Sequence, residues 1–454
     1  MKYFSSSRRQ GQKSRPPDLY EYFVDNFWFK AADLENQKIN EPLRGSHTAD
    51  VVIIGGGFTG LSSAYNIRQK YPDKKIVLLE GACCGYGASG RNGGFCIATS
   101  LVDWNQKEPE RRQKDLEVSL FGIEQIKMLI SEFGVDCDFN ESGMLEVAMN
   151  DKQAKSLESY QKELKLLGLE STLLHGKDLE AEIKSPLFVA GLKKPFGATL
   201  NPAKLARGMK RVVEEVGVEV WERTVVTRIT PGKVHHVDTE FGEIRAPIMV
   251  IALNAYGHKL GFFKNRVFPV SVFQVVTEPL TVDQWESIGW SNRQGLSDLR
   301  ALFSYSVPTA DGRIVMGGSD FTYYDDDALS SGNDKTVTQS VTNNLFEFFP
   351  QLKGLQIVHA WGGTTSYTLG RIPAVGVIGD HKNIFFGTGF DEGVPSTQTA
   401  GRMIADLMAG EKNIFTDHFI VNRQIPWAGP LTLRGFFGRR VKWMMKNLGY
   451  SPIH

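Results

Sequence analysis

The 454-residue sequence predicts an α/β core of Rossmann type interrupted by an α+β region. Three observations carry that reading. Residues 50–81 run strand, glycine-rich turn, helix, strand and acid. Residues 266–320 hold short β-rich runs broken by turns, the pattern of an antiparallel sheet. Residues 383–409 then return to a strand, a second glycine-rich turn and a helix.

The chain opens on a basic stretch, in which residues 1–17 carry Lys2, Arg8, Arg9, Lys13 and Arg15 without an acid. No apolar run follows it, so Sec and twin-arginine export are rejected and a cytoplasmic location is expected. "DLYEYFVDNFWFKAADLENQKINEPLRGSHTA" reads as a helix and an arm leading to the first strand. "DVVIIGGG" is β-branched and apolar, which suits a parallel strand buried on both faces. "TGLSSAYNIRQKYPD" supplies a helix closed by Pro72, and "KKIVLLEG" the next buried strand. Residues 109–132 and 151–167 read as amphipathic helices, and 196–216 as a turn followed by a helix. "VEVWERTVVTRITPG", "KVHHVDTEFGEI" and "APIMVIALNAYG" are β-rich. His235 and His236 fall in the middle run as exposed hairpin residues rather than metal ligands. "RVFPVSVFQVVTEPL" and "RIVMGGSD" fit the antiparallel sheet. "NIFFGTG" is the last strand, and "STQTAGRMIADLMAG" its helix, starting near Ser396–Thr397.

Composition narrows the class. The chain is 41% hydrophobic and 23% charged, an ordinary globular balance. Cys83, Cys84, Cys96 and Cys137 include no CxxC pair, so reduced, packed thiols and no metal site are expected. No apolar run is long enough to span a membrane. The net charge of +1 conceals two basic ends, +5 over residues 1–17 and +6 over 418–454. Within the second, "PLTLRGFFGRRVKWMMKNLGY" has the spacing of a basic amphipathic helix. Docking on the protein's own body is the favoured reading of that helix, and peripheral contact with an anionic membrane is the other. No nucleic-acid partner is expected.

Gly55-Gly56-Gly57-Phe58-Thr59-Gly60 matches GxGxxG between a strand and a helix, with Glu80 at the end of the next strand. Gly55 allows the tight turn, Gly57 a close approach of the backbone to a pyrophosphate, and Gly60 close helix packing. The amides of Phe58 and Thr59 open the helix, where phosphates bind. Glu80 can accept both hydrogens of a ribose diol, which favours FAD or NAD over NADP. The loop "GYGASGRNGG" follows at once and suits the longer cofactor, FAD. Gly81, Gly87, Ala88, Ser89, Arg91, Asn92, Gly93 and Gly94 are its candidate contacts. No second GxGxxG is present for a pyridine nucleotide.

"DVVIIGGGFTGLSSAY", "LLEG" and "GASGRNGG" resemble the D-amino-acid-oxidase superfamily of flavoproteins, most of all its γ-glutamylputrescine oxidase-like branch. "LNPAKLARG", "IALNAY", "TEPL", "DGRIVMGG" and "WGGTTSYTLGRIPAVG" extend the resemblance over nearly the whole chain. It implies a discontinuous FAD-binding domain from residues 46–105, 195–262 and 360–412. A substrate domain takes 106–194 and 263–359, between an N-terminal arm (1–45) and a basic tail (413–454). It implies Val226 as the adenine-side contact. Gly363, Gly389, Phe390, Asp391, Glu392, Gly393 and Val394 become the contacts at the other end of the cofactor. The implied chemistry is oxidation of a C–N bond by hydride transfer to flavin N5, with oxygen or another acceptor taking the electrons.

No single catalytic side chain stands out. Gln274, Tyr305, Trp361 and Glu392 are the candidates for the substrate pocket. Some relatives tether the flavin to a cysteine in the C-terminal half, and this chain has none after Cys137, so bound but non-covalent FAD is expected. Relatives place an arginine near Ser306 and Gly-His-Gly where this chain has Asp391-Glu392-Gly393. Losing a cation and gaining acids favours amines or amine conjugates over amino acids. Arg313 reads as a structural ion-pair partner, and His258 as a surface helix residue. A flavin-binding protein without turnover, and an oxidase or dehydrogenase of sarcosine- or glycine-like amino acids, are the alternatives.

Overall fold

The computed structural model describes residues 26–33, 36–323, 333–429, 438–440 and 442–445. The basic stretch 1–17 and most of the C-terminal amphipathic segment lie outside these residues.

Val51–Ile54 and Ile76–Leu79 are buried along their whole length, as strands covered on both faces must be. They lie at the centre of a six-stranded sheet. Its order is Ala374–Ile378, Ile384–Thr388, Ile248–Ile251, Val51–Ile54, Ile76–Leu79 and Glu219–Trp221. All neighbours are parallel except the first pair. On one face, helix Phe58–Lys70 lies against helix Gly393–Ala409, which in turn meets helix Pro109–Phe133. The contacts are close because glycines make them. A Cβ at Gly401 would stand 2.2 Å from Ser62 Oγ, and one at Gly122 would stand 2.1 Å from the Pro395 carbonyl oxygen.

A four-stranded sheet built from Gly45–Thr48, Gly242–Ala246, His235–Thr239 and Val226–Thr230 covers the other side. It corrects the reading of His235. The ring is fully buried, with Nε2 3.3 Å from the Asn383 carbonyl, because this face of the hairpin packs inward.

The third layer is an eight-stranded sheet, antiparallel except where Gly295–Asp298 runs parallel to Met144–Ala148. Its longest pair, at one edge, is Val267–Thr277 with Ile357–Thr368. The expected domain boundary at 360 therefore falls inside a strand. Helix Lys335–Phe348 and the rings of Trp290, Phe348 and Phe349 cover one face of this sheet. The opposite face looks toward the six-stranded sheet across a cavity.

The last helix begins at Gly393, about a turn earlier than the sequence suggested. Pro395 explains the difference, since proline has no N–H to lose in a first turn and its φ already suits a helix.

Candidate active site

The cavity between the two sheets measures about 2230 Å³. Ligand pockets for drug-sized molecules run to roughly 1,000 Å³, so this one has room for a dinucleotide and a second molecule together.

Its nucleotide-like end is made of backbone. Gly55 has φ +109°, and a Cβ on Gly60 would stand 1.8 Å from the Gly55 carbonyl oxygen, so the turn and helix can meet only as glycines. Glu80 Oε2 accepts the Gly56 N–H at 2.7 Å, and Oε1 accepts the Ala82 N–H at 2.9 Å. Glu80 also lines the cavity, and a carboxylate has acceptor sites beyond these two bonds, which a ribose diol could use. Burial, only partly offset by those hydrogen bonds, raises the Glu80 carboxyl to about 7. Gly81 and Val226 complete this end of the wall.

The second glycine-rich loop is locked from several sides. Ser89 Oγ accepts the Phe58 N–H at 2.9 Å, joining the loop to the first turn. Asn92 donates to the carbonyls of Ala88 and Ser89 and accepts from the Gly94 N–H at 2.9 Å. Asn26 and Trp28 of the N-terminal arm donate to the carbonyls of Gly90 and Asn92, both at 2.9 Å. Gly87, Ala88, Ser89, Arg91, Asn92 and Gly93 line the cavity, whereas Gly60 and Gly94 lie behind its wall.

Two of the expected pocket candidates are placed elsewhere. Gln274 Nε2 and Trp361 Nε1 both donate to the Arg91 carbonyl, at 2.7 and 3.0 Å, and neither side chain reaches the cavity wall. Both are completely buried, so they brace the loop from behind. Tyr305 does face the cavity. Its ring fills the space that Cβ atoms of Gly93 and Gly317 would need, each within 2.5 Å of it. Ser306, next along the strand, is buried on the opposite face, as the alternation of a strand requires.

At the far end, Gly363, Phe390, Asp391, Glu392, Gly393 and Val394 line the wall, while Gly389 stands behind it. Asn254 fixes this loop: its Oδ1 accepts from the Gly389 N–H at 3.0 Å and from the Phe390 N–H at 3.3 Å. The two adjacent acids divide. Asp391 pairs with Arg371 at 2.6 Å, whereas Glu392 lies 3.9 Å from that guanidinium. Glu392 makes no side-chain capping bond to helix Gly393–Ala409, so the first amides of the helix stay open to an acceptor. Its side chain is 44% open and lines the cavity. Enclosure by protein, and then the neighbouring Asp391, raise its carboxyl to about 7, against the pull of Arg371 and Lys194.

The eight-stranded sheet contributes charged residues that sequence reasoning missed. Lys194 is 5% exposed and pairs with Glu146 at 2.5 Å, and Arg300 pairs with Asp298 at 2.6 Å. All four line the cavity. Burial is the largest influence on Lys194 and lowers its pKa, but Glu146, Tyr160 and Glu392 together hold it above the usual range. Only the alternation of Met144 and Glu146 on one strand hinted at the first pair.

Among the described residues no cluster of His, Cys, Asp or Glu could hold a metal. Cys83 and Cys84 are buried and outside the cavity wall, and burial pushes both thiols well up. Arg313 pairs with Asp311 at 2.7 Å, in the structural role expected of it. His258 is half-buried in a short 3₁₀ segment, with Nδ1 2.8 Å from the Ala255 carbonyl.

A glycine turn at a helix start, a diol-ready acid and a braced second loop above one long cavity define a flavoprotein of the dinucleotide-binding class. The comparisons agree. Residues 50–407 match the model of the DAO family, FAD dependent oxidoreductase, and the chain belongs to that family. It is 32% identical over 402 residues to gamma-glutamylputrescine oxidoreductase of Escherichia coli, covering 87% of this chain and 91% of that one. It is 23% identical over 378 residues to sarcosine oxidase subunit beta of Rhodobacter capsulatus, covering 79% of this chain and 84% of that one. Glycine oxidase from Geobacillus kaustophilus shares the fold with a TM-score of 0.72 at 19% identity, covering 84% of this chain and 100% of that structure. The protein is thus an FAD-dependent oxidoreductase, and the residues at the nucleotide end fit that cofactor.

Proposed function

We propose that the protein oxidises a C–N bond of an amine, an amine conjugate or an amino acid, with the imine product hydrolysing afterwards. FAD, when bound, supplies the hydride acceptor at N5, and oxygen or another acceptor takes up the electrons. The observation that carries the reading is a single cavity running from Glu80 to a charged compartment around Glu146, Lys194, Arg371 and Glu392. Glu80, the first glycine turn and the loop 85–94 would hold the nucleotide and ring, and Tyr305 would bound the space where substrate and ring meet. The open amides at the start of helix Gly393–Ala409 would stabilise negative charge arriving at the ring. The E. coli relative is named for an amine conjugate, which supports that substrate class. So does the ion pairing, since Lys194, Arg300 and Arg371 are each already engaged with an acid. Anaerobic addition of an amine and amino-acid panel to the yellow holoprotein tests this: amines are expected to bleach the flavin. Bleaching by none of them leaves a flavin-binding protein without amine turnover.

We infer that residues 438–440 and 442–445, the described part of the C-terminal segment, dock on the protein rather than on a membrane. Lys442 pairs with Asp320 at 2.7 Å, and Gly438 and Met445 reach the cavity wall. Flotation with anionic liposomes is expected to leave the full chain and a chain lacking residues 430–454 equally in the soluble fraction.

A further inference from the structure

The charges of the compartment do not cancel. Lys194 faces Glu146, Arg300 faces Asp298 and Arg371 faces Asp391, at 2.5, 2.6 and 2.6 Å. Glu392 is the acid left over: its closest ion-pair partner among the described residues is Arg371, 3.9 Å away and already committed to Asp391. Its carboxylate opens into the cavity, and enclosure makes an unmatched charge there costly. A fold keeps such a group where a ligand completes it. The complement of one unmatched carboxylate is one cation with N–H groups to donate.

We infer that Glu392 is the specificity-determining residue of the compartment, receiving as an ammonium the amino group of a monocationic amine that has no carboxylate on the same carbon. The ammonium must then lose a proton to water before hydride can leave the adjacent carbon. The inference rests on the reading of the cavity as a substrate site for C–N oxidation and names the substrate class. Arg371 and Lys194 act as positioning residues, because they occupy Asp391 and Glu146 and leave a single acid facing the ligand. An α-amino acid is disfavoured, since its carboxylate would have to displace one of those acids from its cation or stand near Glu392 itself.

The groups around Glu392 fix the pH behaviour. Arg371 and Lys194 favour its charged form, Asp391 and Glu146 oppose it, and the Tyr160 and Tyr367 hydroxyls stay protonated, raised by burial. Cation binding should therefore strengthen as pH rises through about 7, while an alkylamine keeps its charge to about 10.

The test uses tert-butylammonium, whose nitrogen-bearing carbon has no hydrogen to transfer, with pivalate as its anionic counterpart. Calorimetric titration of the FAD-loaded protein should show tert-butylammonium binding more tightly at pH 8 than at pH 6, and more tightly than pivalate. Glu392→Gln, with its flavin retained, should weaken binding about tenfold or more and flatten the pH dependence, and Glu392→Asp should restore part of it. Unchanged affinity in Glu392→Gln, preference for pivalate, or no binding of tert-butylammonium at pH 8 each overturns the assignment. If Glu392→Gln loses its flavin, the pH step in the wild type and in Glu392→Asp decides. Glu392-dependent binding together with a flavin that no oxidisable amine bleaches would refute the C–N oxidation reading and leave the cation site standing.

Discussion

The two ends of the cavity are made of different material. The nucleotide-like end is largely backbone and glycine, most of it from residues 54–93 with Val226 added from a neighbouring sheet, and Glu80 is the acid whose carboxylate caps the turn. The charged end is assembled from side chains at positions 146, 194, 300, 371 and 392, brought together from separate strands and loops. The first has almost no freedom, since the Gly60–Gly55 contact admits no side chain at all. The second is a set of ion pairs that could be rearranged without disturbing the sheets beneath them. A fold family can therefore keep one end fixed while the other changes with the substrate.

Breaking the rigid end should cost most. Gly60→Ala puts a methyl group into the Gly55 carbonyl, and the protein is expected to purify without flavin, as judged by the ratio of flavin to protein absorbance. A yellow Gly60→Ala protein would show that this end is softer than argued. Glu80→Gln keeps the shape and removes the charge, so FAD affinity should fall about 10- to 100-fold in an apoprotein titration. At the charged end, Arg371→Gln strands Asp391, and urea unfolding should show a loss of about 1–3 kcal/mol with FAD still bound.

The smallest effect sharpens the contrast. The folded protein holds the Glu392 proton more tightly than the unfolded chain does, so this group costs stability as pH rises from the ordinary carboxylate range through about 7. Glu392→Gln removes that cost. Its Tm should exceed wild type by about 1–3 °C at pH 8, allowing for screening by cavity water, and match it near pH 4. A Tm lower than wild type at pH 8 would mean that Glu392 supports the fold.

The same contrast explains what the sequence could say. The strand–turn–helix–strand unit was readable because its glycines and acid are local and each has one steric reason. The helix over 109–133, the hairpin around 235–246 and the antiparallel pair 267–277 with 314–318 were readable from periodicity. The Glu146–Lys194 pair was not, because two charges 48 residues apart in half-apolar strands look like ordinary surface residues until the register sets them side by side. Gln274 and Trp361 misled for the converse reason. Polar and aromatic residues in strands beside a ligand loop can brace it from behind, and only the direction of the side chain tells which.

The order of the central sheet has a consequence for biosynthesis. Val51–Ile54 finds its partner Ile248–Ile251 only after nearly 200 more residues have been made. At typical elongation rates of about 5–20 residues per second, that strand waits about 10–40 s with one edge unpaired. The loop at 389–394 arrives later still, so a nascent chain meeting free flavin early has the diol acid, the first turn and the loop 85–94 but lacks the far end of the cavity. Loading is therefore an event of the finished polypeptide, and a ribosome stalled before residue 393 should release a chain that is colourless.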